Sequence, residues 1–338
     1  MGVKCNKGMA SEVVMDYLRR HPAMPRLTLA KLIMKEQPGL YTNITSCRSA
    51  IQYYTGAQGD KSRTHPVKHG LMRPKGMAGA DAWEAMMPES WSEPIVPFVM
   101  PKAVRSVLVL SDIHVPFHEP SALAAAIEYG IKVRPDAVML NGDTLDFYGV
   151  SDHEKDPRKV KWHEELEACR EALKMIRSAF PGVPIYLKEG NHEYRMERYL
   201  MKHAQLLLGM AEFELPTLLR LGESGIEYIR NKRPVYAGSL TIGHGDEWRG
   251  AGGVNPARWL SLRAGESMVI GHFHRTSQHI ERTVRQTVRG WWSTGCLCEL
   301  QPHYMPFNNW NHGFAIVHLN EDGSFEVDNK TIIQGKVR

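Results

Sequence analysis

The sequence predicts an α/β protein with two packed sheets and helices outside them, preceded by a small all-α domain. Three observations support this prediction. Residues from 103 onward alternate strand and helix patterns and then show closely spaced strands, whereas the first 63 residues carry only helical patterns. A stretch rich in proline and glycine separates the two parts. The predicted organisation is a helical domain over 1–63, a linker or strap over 64–101 and a second domain over 102–338.

Bulk composition is that of an ordinary globular protein. The 338 residues are 43% hydrophobic and 23% charged. No stretch approaches the roughly 18 apolar residues of a membrane span, and the first residues lack the apolar run of a secretory signal. Five cysteines, an odd number, favour a reduced cytoplasmic setting without a membrane partner. Cys296 and Cys298 are two apart; a metal pair is one interpretation, and two structural residues of one strand is the favoured one.

Three short helices are predicted in the first domain. The first spans 10–21 with Ser11 as its cap, the second begins at a Thr28 cap, and the third follows the capping residues 42–45. Three helices in under 60 residues resemble a helix-turn-helix unit, in which the last helix enters the DNA major groove. A small helical protein-docking domain is the alternative.

Charge is distributed unevenly along the chain. Residues 1–75 hold 13 Lys and Arg but four acids, a net charge of +9, while the remainder has a net charge of −4. A basic module next to an acidic one indicates a polyanionic partner, here nucleic acid. The alternative is a solvated basic surface with no partner. The predicted nucleic-acid contacts are Arg48, Gln52, Lys61 and Arg63.

The second domain is predicted from its apolar patterns. Strands are expected at 104–110, 137–140, 183–187, 226–230, 239–243, 267–271, 278–283, 291–298, 313–319 and 324–329. Helices are expected at 121–131, 164–180 and 193–208. A polar insertion, Ser151 to Lys161, is expected to roof the functional site.

Five short segments with metal-ligand side chains follow predicted strands. They are Asp112-Ile113-His114, Gly142-Asp143, Gly190-Asn191-His192-Glu193, Gly243-His244 and Gly271-His272-Phe273-His274. Asp112 and His114 would share a face if the strand stayed extended through them. Oxygen donors combined with imidazoles suit Mn²⁺, Zn²⁺ or Fe. Five such segments indicate a hydrolytic centre in which two ions clamp the attacking and leaving oxygens.

Taken in order, these segments resemble the calcineurin-like metallophosphoesterase family over roughly residues 103–320. The resemblance implies a four-layer α/β/β/α sandwich with the metal site at the strand ends. The layout also resembles members encoded by bacteriophages and prophages. The family's protein phosphatases carry G-D-x-x-D-R-G, whereas this chain continues from Asp143 as Thr-Leu-Asp-Phe-Tyr. The missing Arg and Gly argue against a protein phosphatase.

The resemblance also implies a role for each ligand. Asp112, His114 and His274 bind one metal, and Asp143 bridges both. The second metal is bound by Asn191, His244 and His272. The implied cofactors are two divalent ions, with Mn²⁺ favoured and Zn²⁺, Fe or Mg²⁺ as alternatives.

Two catalytic residues follow from the same resemblance. A metal-bridging hydroxide attacks the phosphorus while His192 assists the leaving group. Glu193 either orients His192 or caps the following helix. Arg195 and Arg249 are candidates for binding substrate phosphate; a surface ion pair is the alternative for Arg195.

Three hypotheses for function remain open at this point. The favoured one is a metal-dependent phosphodiesterase or nuclease acting on DNA, guided by the basic N-terminal module. The second is a phosphatase or phosphodiesterase acting on a small nucleotide or a phosphoprotein, with the N-terminal module used for docking. The third is a catalytically silent DNA-binding regulator, which the complete set of ligand types disfavours.

Overall fold

A computed structural model describes residues 7–56, 83–84, 87–156, 158–250 and 252–338. The chain divides into two compact units, Met1–Glu93 and Pro94–Arg338. The division falls inside the stretch expected to be a strap. Lys61 and Arg63 lie outside the described residues.

The N-terminal unit contains three helices around a small core. They are α1 (Lys7–Arg20), α2 (Arg26–Glu36) and α3 (Ile44–Thr55). Their buried faces meet in one apolar cluster: Val14, Tyr17, Leu29, Ala30, Ile33, Cys47 and Ile51. This unit therefore has a core of its own, as the periodicity of its apolar residues predicts.

Two of the three predicted helix caps in this unit are wrong. Helix α1 begins at Lys7, which places Ser11 inside it, and α2 begins after Pro25, so Thr28 also lies inside a helix. Both helices extend further towards the N-terminus than the apolar stripe that predicted them. The third predicted cap is confirmed, because the Asn43 side chain accepts a hydrogen bond from the Ser46 amide at 2.9 Å.

The second unit is built on a sheet of seven strands. In spatial order the strands are β13 (Lys336–Val337), β12 (Phe325–Ile333), β11 (His312–Leu319), β2 (Ser106–Leu110), β3 (Ala137–Asn141), β4 (Ile185–Lys188) and β5 (Ile226–Ile229). Strands β2 to β5 are parallel, so their carboxyl ends meet at one edge.

A second sheet has six strands. In spatial order they are β1 (Phe98–Val99), β6 (Val235–Ala237), β7 (Leu240–Ile242), β8 (Met268–Ile270), β10 (Val288–Ser293) and β9 (Ser277–Arg282). Strands β7, β8 and β10 run parallel. Strand β1 lies in the expected strap and pairs with β6.

Helices cover the outer faces of the two sheets. They are α4 (Pro120–Val133), α5 (Trp162–Ala179), α6 (Arg195–His203), the single turn α7 (Leu215–Leu218) and α8 (Pro256–Ala264). Short 3₁₀ turns span Tyr148–Val150, Gln205–Leu207 and Ala211–Phe213.

Strand β2 shows how the layers are assembled. Leu108 and Leu110 pack into the cluster that includes α4 and α5, whereas Val107 and Val109 pack towards the six-stranded sheet. This alternation is the period of two expected for a strand buried on both faces. On the far side, α8 packs against β8 and β10. The unit is therefore a four-layer α/β/β/α sandwich, as predicted.

Several element predictions need correction. The helix expected over 193–208 begins at Arg195 and ends at His203, before a 3₁₀ turn. The strand expected over 291–298 ends at Ser293, so Cys296 and Cys298 lie beyond it. Strands β1, β6 and β13 and helices α7 and α8 were missed. The missed strands have two or three residues and so carry almost no periodic signal. Within the described part of the chain, no helix is both long and apolar enough to cross a membrane.

Candidate metal centre

The five ligand segments meet at the carboxyl ends of strands from both sheets. They follow β2, β3 and β4 in the seven-stranded sheet and β7 and β8 in the six-stranded sheet. Because the sheets pack face to face, their strand ends converge on one place. Side chains far apart in the sequence are therefore brought within a few ångströms of one another.

One group of ligand types surrounds Asp112. The Nε2 atom of His274 lies 3.3 Å from Oδ1 of Asp112 and 3.3 Å from Nε2 of His114. Ring nitrogens and carboxylate oxygens facing one another at this spacing have room for a cation between them. The Cys298 thiol lies 3.7 Å from Nδ1 of His274, on the other side of that ring.

A second group surrounds Asp143. Its Oδ2 atom lies 3.2 Å from Nε2 of His244 and 3.8 Å from Nε2 of His114. Potential ligand atoms of Asp143, His244 and His272 all lie within 4.8 Å of one another. Asp143 thus lies between the two groups, where a bridging carboxylate is expected. Asn191 presents a buried Oδ1 that has no hydrogen-bond partner among the described residues.

The backbone at these ligands is unusual. Left-handed φ values of 51° to 65° occur at five of the predicted ligands: Asp112, His114, Asp143, His272 and His274. Asp and His tolerate this region better than most residues, yet it costs free energy and is concentrated at functional sites. The extended strand assumed for Asp112 and His114 is therefore wrong, because β2 ends at Leu110. Tight turns, and not strand alternation, aim the two side chains.

Three glycines allow the turns to approach one another. A Cβ atom added to Gly142 would lie 2.4 Å from Nδ1 of His244. One added to Gly190 would lie 2.5 Å from Oδ1 of Asp143, and one added to Gly271 would lie 2.6 Å from Oδ2 of Asp112. Each glycine thus makes room for a ligand from a different segment, which explains why glycine precedes these ligands in the sequence.

Glu193 joins two of the turns. Its buried carboxylate accepts hydrogen bonds from the backbone amides of Asp143 and Thr144, both at 2.8 Å, and of Gly190 at 2.9 Å. Both roles expected for Glu193 are therefore wrong: it neither orients His192 nor caps α6, whose N-cap is Tyr194. It holds the Asp143 turn against the turn after β4.

A buried ion pair that the sequence did not reveal supports His244. Glu247 accepts hydrogen bonds from the amides of His244 at 3.0 Å and Gly245 at 2.6 Å. The fully buried Lys188 donates to the same carboxylate at 2.8 Å. Nδ1 of His244 faces the carbonyl of Asn141 at 2.8 Å, which directs Nε2 towards Asp143. The only sequence signal was a lysine at the end of an otherwise apolar strand.

His192 lies in a network with Asp146 and Arg195. Its Nδ1 is 2.8 Å from the Asp146 carbonyl, which can only accept, and its Nε2 is 2.9 Å from Nη2 of Arg195, which can only donate. The Asp146 carbonyl therefore accepts a hydrogen bond from Nδ1 of His192. Nε2 also lies 3.7 Å from Oδ2 of Asp143.

Arg195 is buried and not part of a surface ion pair. Its Nη1 donates to the Asp146 carbonyl at 2.6 Å. The Asp146 carboxylate in turn contacts Nδ1 of His114 at 3.1 Å. Asp146 was missed as a site residue, although its position three residues after Asp143 was visible in the sequence.

Electrostatics at the centre favour a bound cation. Burial disfavours ionisation of Asp143, yet the imidazoles of His192 and His244 hold its pKa well below the usual range. Burial likewise disfavours a charged His274, yet Asp112 raises its pKa to about 10. Burial, with the charge of Asp143, raises the pKa of Glu193 to about 7. Buried carboxylates that draw protons onto nearby imidazoles create a negative potential that a metal cation would satisfy.

The residues present fit two divalent ions. Nε2 of His244 and Oδ1 of Asn191 are buried without hydrogen-bond partners in the described part of the chain, and both are metal-ligand atoms. The donor set of carboxylate, amide and imidazole groups is that of Mn²⁺, Zn²⁺ or Fe sites.

The remaining predicted site residues lie elsewhere. Arg249 is exposed after β7 and takes no part in the contacts described above. The neighbouring Trp248 is partly buried and packs in the apolar cluster beneath α8. Arg48 and Gln52 are exposed one turn apart on α3.

Comparison with known proteins identifies relatives of the second unit. Residues 105–304 match the family model of calcineurin-like phosphoesterases. The chain is 28% identical over 183 residues to the Gene 54 protein of Mycobacterium phage L5, covering 51% of this chain and 69% of that protein. Identity to the Gene 54 protein of Mycobacterium phage D29 is 29% over 184 residues, with the same coverage.

Solved structures give more distant similarity. Vacuolar Protein Sorting 29 from Cryptosporidium parvum has a TM-score of 0.38 and 14% identity, covering 70% of this chain and 95% of that one. Yfce, a phosphoesterase from E. coli, has a TM-score of 0.32 and 14% identity, covering 66% and 98%.

Proposed function

The chain belongs to the calcineurin-like phosphoesterase family, and from that premise we propose that it is a metal-dependent phosphodiesterase acting on DNA. The observation that carries the hydrolytic part is the convergence of Asp112, Asp143 and four histidines at the strand ends. The observation that favours DNA is the +9 charge of residues 1–75, together with the exposed Arg48 and Gln52 on α3.

Two ion sites are proposed within the centre. Asp112, His114 and His274 would hold one ion, while His244, His272 and Asn191 would hold the other. Asp143 would contact both. Mn²⁺ is the favoured metal, with Zn²⁺, Fe or Mg²⁺ as alternatives. Bound divalent ions supply an activated water and neutralise charge on the phosphoryl oxygens.

The protein's own contribution is to position these groups and to supply a proton. His192 lies at the rim of the centre with Nε2 towards Asp143, where the leaving oxygen of a bound phosphodiester would lie. To assist that oxygen, His192 must carry a hydrogen on Nε2, so Arg195 must move away from it. A substrate phosphate gives Arg195 an alternative anionic partner. Nε2 of His192 could then take up a proton from solvent and donate it to the leaving oxygen.

An activity panel tests this proposal. Hydrolysis of bis-p-nitrophenyl phosphate, p-nitrophenyl phosphate, single- and double-stranded DNA and cyclic nucleotides would be compared with Mn²⁺ present. We expect the diester and DNA to be hydrolysed and the monoester to be poor. Strong monoester hydrolysis with no action on DNA would favour the small-substrate or phosphoprotein alternative. Absence of all hydrolysis would favour the DNA-binding regulator.

A further inference from the structure

An open cleft lies directly beside the metal centre. Its wall includes His114 and His274, so it is continuous with one of the proposed ion sites. The rest of the wall comes from three other parts of the chain: Phe117; then Asp146, Tyr148 and Lys159; and six residues of the 298–310 segment. A substrate bound through its phosphate at the centre would therefore extend into this cleft.

Aromatic rings dominate the cleft. Phe117 and Tyr148 contact each other edge to face with ring centroids 5.8 Å apart. On the 298–310 segment, Trp310 packs edge-on against the His274 ring at 4.1 Å, and Tyr304 lies 6.4 Å from Trp310. Tyr304 is 74% exposed, so its ring is available to a ligand. Aromatic faces at a phosphoesterase centre suit a flat ring on the substrate.

Polar side chains accompany these rings. Lys159 places an ammonium group in the wall, while Glu299 and His303 add a carboxylate and an imidazole. An aliphatic chain could form neither hydrogen bonds nor ion pairs with these groups. A nucleobase combines a flat aromatic face with hydrogen-bonding edges, and its nucleotide carries an anionic backbone that attracts lysine.

We propose that this cleft binds an unpaired nucleobase next to the phosphate that is hydrolysed. This proposal rests on the proposed phosphodiesterase function and specifies its substrate class, namely single-stranded DNA or a frayed strand end. A base within a duplex is stacked and paired, so it would have to leave the helix before entering. Tyr304 is assigned as a specificity residue that stacks on the base.

The test compares substrates that differ only in the base. Hydrolysis of a dithymidine phosphate would be measured against the two analogues in which one or the other nucleotide is abasic. We expect kcat/KM to fall roughly 5- to 100-fold for one of the two analogues, the scale of one base-stacking contact. Tyr304→Ala should lower kcat/KM for the intact substrate by a similar factor and remove the difference. Tyr304→Phe keeps an aromatic ring and should therefore retain the difference between the intact and abasic substrates.

Phe307→Ala is the matched control. Phe307 is on the same segment and is 96% exposed, but it does not line the cleft beside His274. This variant should keep the preference for the intact substrate. Equal hydrolysis of all three substrates by the unaltered protein, or an unchanged preference in Tyr304→Ala, would overturn the proposal.

Two further measurements separate this proposal from the proposed function. Hydrolysis of bis-p-nitrophenyl phosphate reports phosphodiesterase activity without a base. Calorimetric binding of thymidine 5′-monophosphate, compared with deoxyribose 5-phosphate in Mn²⁺, reports base recognition without catalysis. Diester hydrolysis with equal binding of the two ligands would leave the function intact and refute the base site. Tighter binding of the nucleotide that Tyr304→Ala abolishes would support the site even if no diester were hydrolysed.

Discussion

Ligand side chains at the metal centre are aimed by individual residues in strained turns. Five of them adopt left-handed φ values, and each such conformation costs of the order of 1–3 kcal/mol for a residue other than glycine. Three glycines remove the steric conflict between neighbouring turns, and Glu193 ties two of the turns together. The energy stored in these turns is consistent with a centre selected for function and not for stability.

Asp143→Asn and His272→Ala should each abolish hydrolysis while leaving the fold intact. The first change puts a neutral side chain between the two ligand groups, and the second removes an imidazole from one of them. Metal affinity should fall by more than the roughly 10- to 100-fold typical of losing a residue that only supports a ligand. Activity assays and metal analysis would measure both effects. His279→Ala, which changes a histidine on β9 hydrogen-bonded to Glu281, is the control. Full activity in Asp143→Asn would contradict the bridging role.

His192→Ala should retain both metals but lower kcat about 10²- to 10⁴-fold on DNA, the scale of a lost general acid. The loss should be smaller for nitrophenyl esters, whose leaving group needs little protonation. Rates for both substrates and the metal content of the variant would be measured. Nε2 of His192 lies close enough to Asp143 and His114 to be a ligand instead. A drop in metal stoichiometry would show that it is one.

At the scale of helices and strands, the sequence predicted the elements that carry a pattern of apolar residues. It missed the elements and contacts that depend on residues far away in the sequence. Strands β2, β3 and β4 were identifiable because they are buried and mostly apolar. Their ligands were identifiable because each follows a strand. Strands β1 and β6 exist only through their pairing with each other and with β7. The contact between Lys188 and Glu247, 59 residues apart, likewise depends on how distant segments pack, which no local pattern encodes.

Helix α5 carries a buried acid that should make stability depend on pH. Burial, with the charge of Asp146, raises the pKa of Glu165 to about 7. Its Oε1 accepts from the Tyr148 amide at 2.9 Å, while Oε2 is buried without a partner among the described residues. The folded protein therefore holds a proton that the unfolded chain loses near pH 4.5. Stability from this group is full below about pH 4.5 and decreases as pH rises through 7.

Glu165→Gln should remove that dependence. Relative to the variant, the unaltered protein should lose about 3 kcal/mol of unfolding free energy between pH 4.5 and pH 8, from 1.36 kcal/mol per pKa unit. Denaturant unfolding at several pH values would measure the difference. Glu164→Gln changes the exposed neighbour in the same helical turn and should have no such effect. A constant difference between Glu165→Gln and the unaltered protein across this range would show that the pKa of Glu165 is the same in the folded and unfolded states.

At the scale of the whole molecule, charge is segregated along the chain: residues 1–75 carry a net charge of +9 and the remainder a net charge of −4. The first 75 residues are strongly basic and contain none of the metal-centre residues. The DNA binding proposed for the N-terminal unit and the hydrolysis proposed for the second unit should therefore be separable by mutation. Tethering a binding module to a catalytic one raises the local concentration of substrate, most of all when DNA is dilute.

Arg48→Glu in the full chain should weaken binding to duplex DNA and reduce its salt dependence, because fewer counterions are released. Hydrolysis of bis-p-nitrophenyl phosphate should be unchanged. Gel-shift assays at two salt concentrations would measure the first effect. Lys31→Glu makes the same charge change at an exposed position on α2. Equal losses of DNA affinity in the two variants would indicate general electrostatic attraction without a recognition helix. No loss of DNA affinity in either variant would favour a protein-docking domain.

The metal centre also joins parts of the chain that are far apart. Asp112 accepts hydrogen bonds from the amide of His272, 160 residues further on in the turn that follows β8 of the other sheet. An ion held by both segments would cross-link the two sheets in the folded protein but not in the unfolded chain. At a free metal concentration 100 times Kd it would add about 2.7 kcal/mol of stability, and Asp143→Asn would lose this gain. Thermal melts with Mn²⁺ and with a chelator would show a difference of several degrees. Metal supply would then govern the lifetime of the folded protein as well as its turnover.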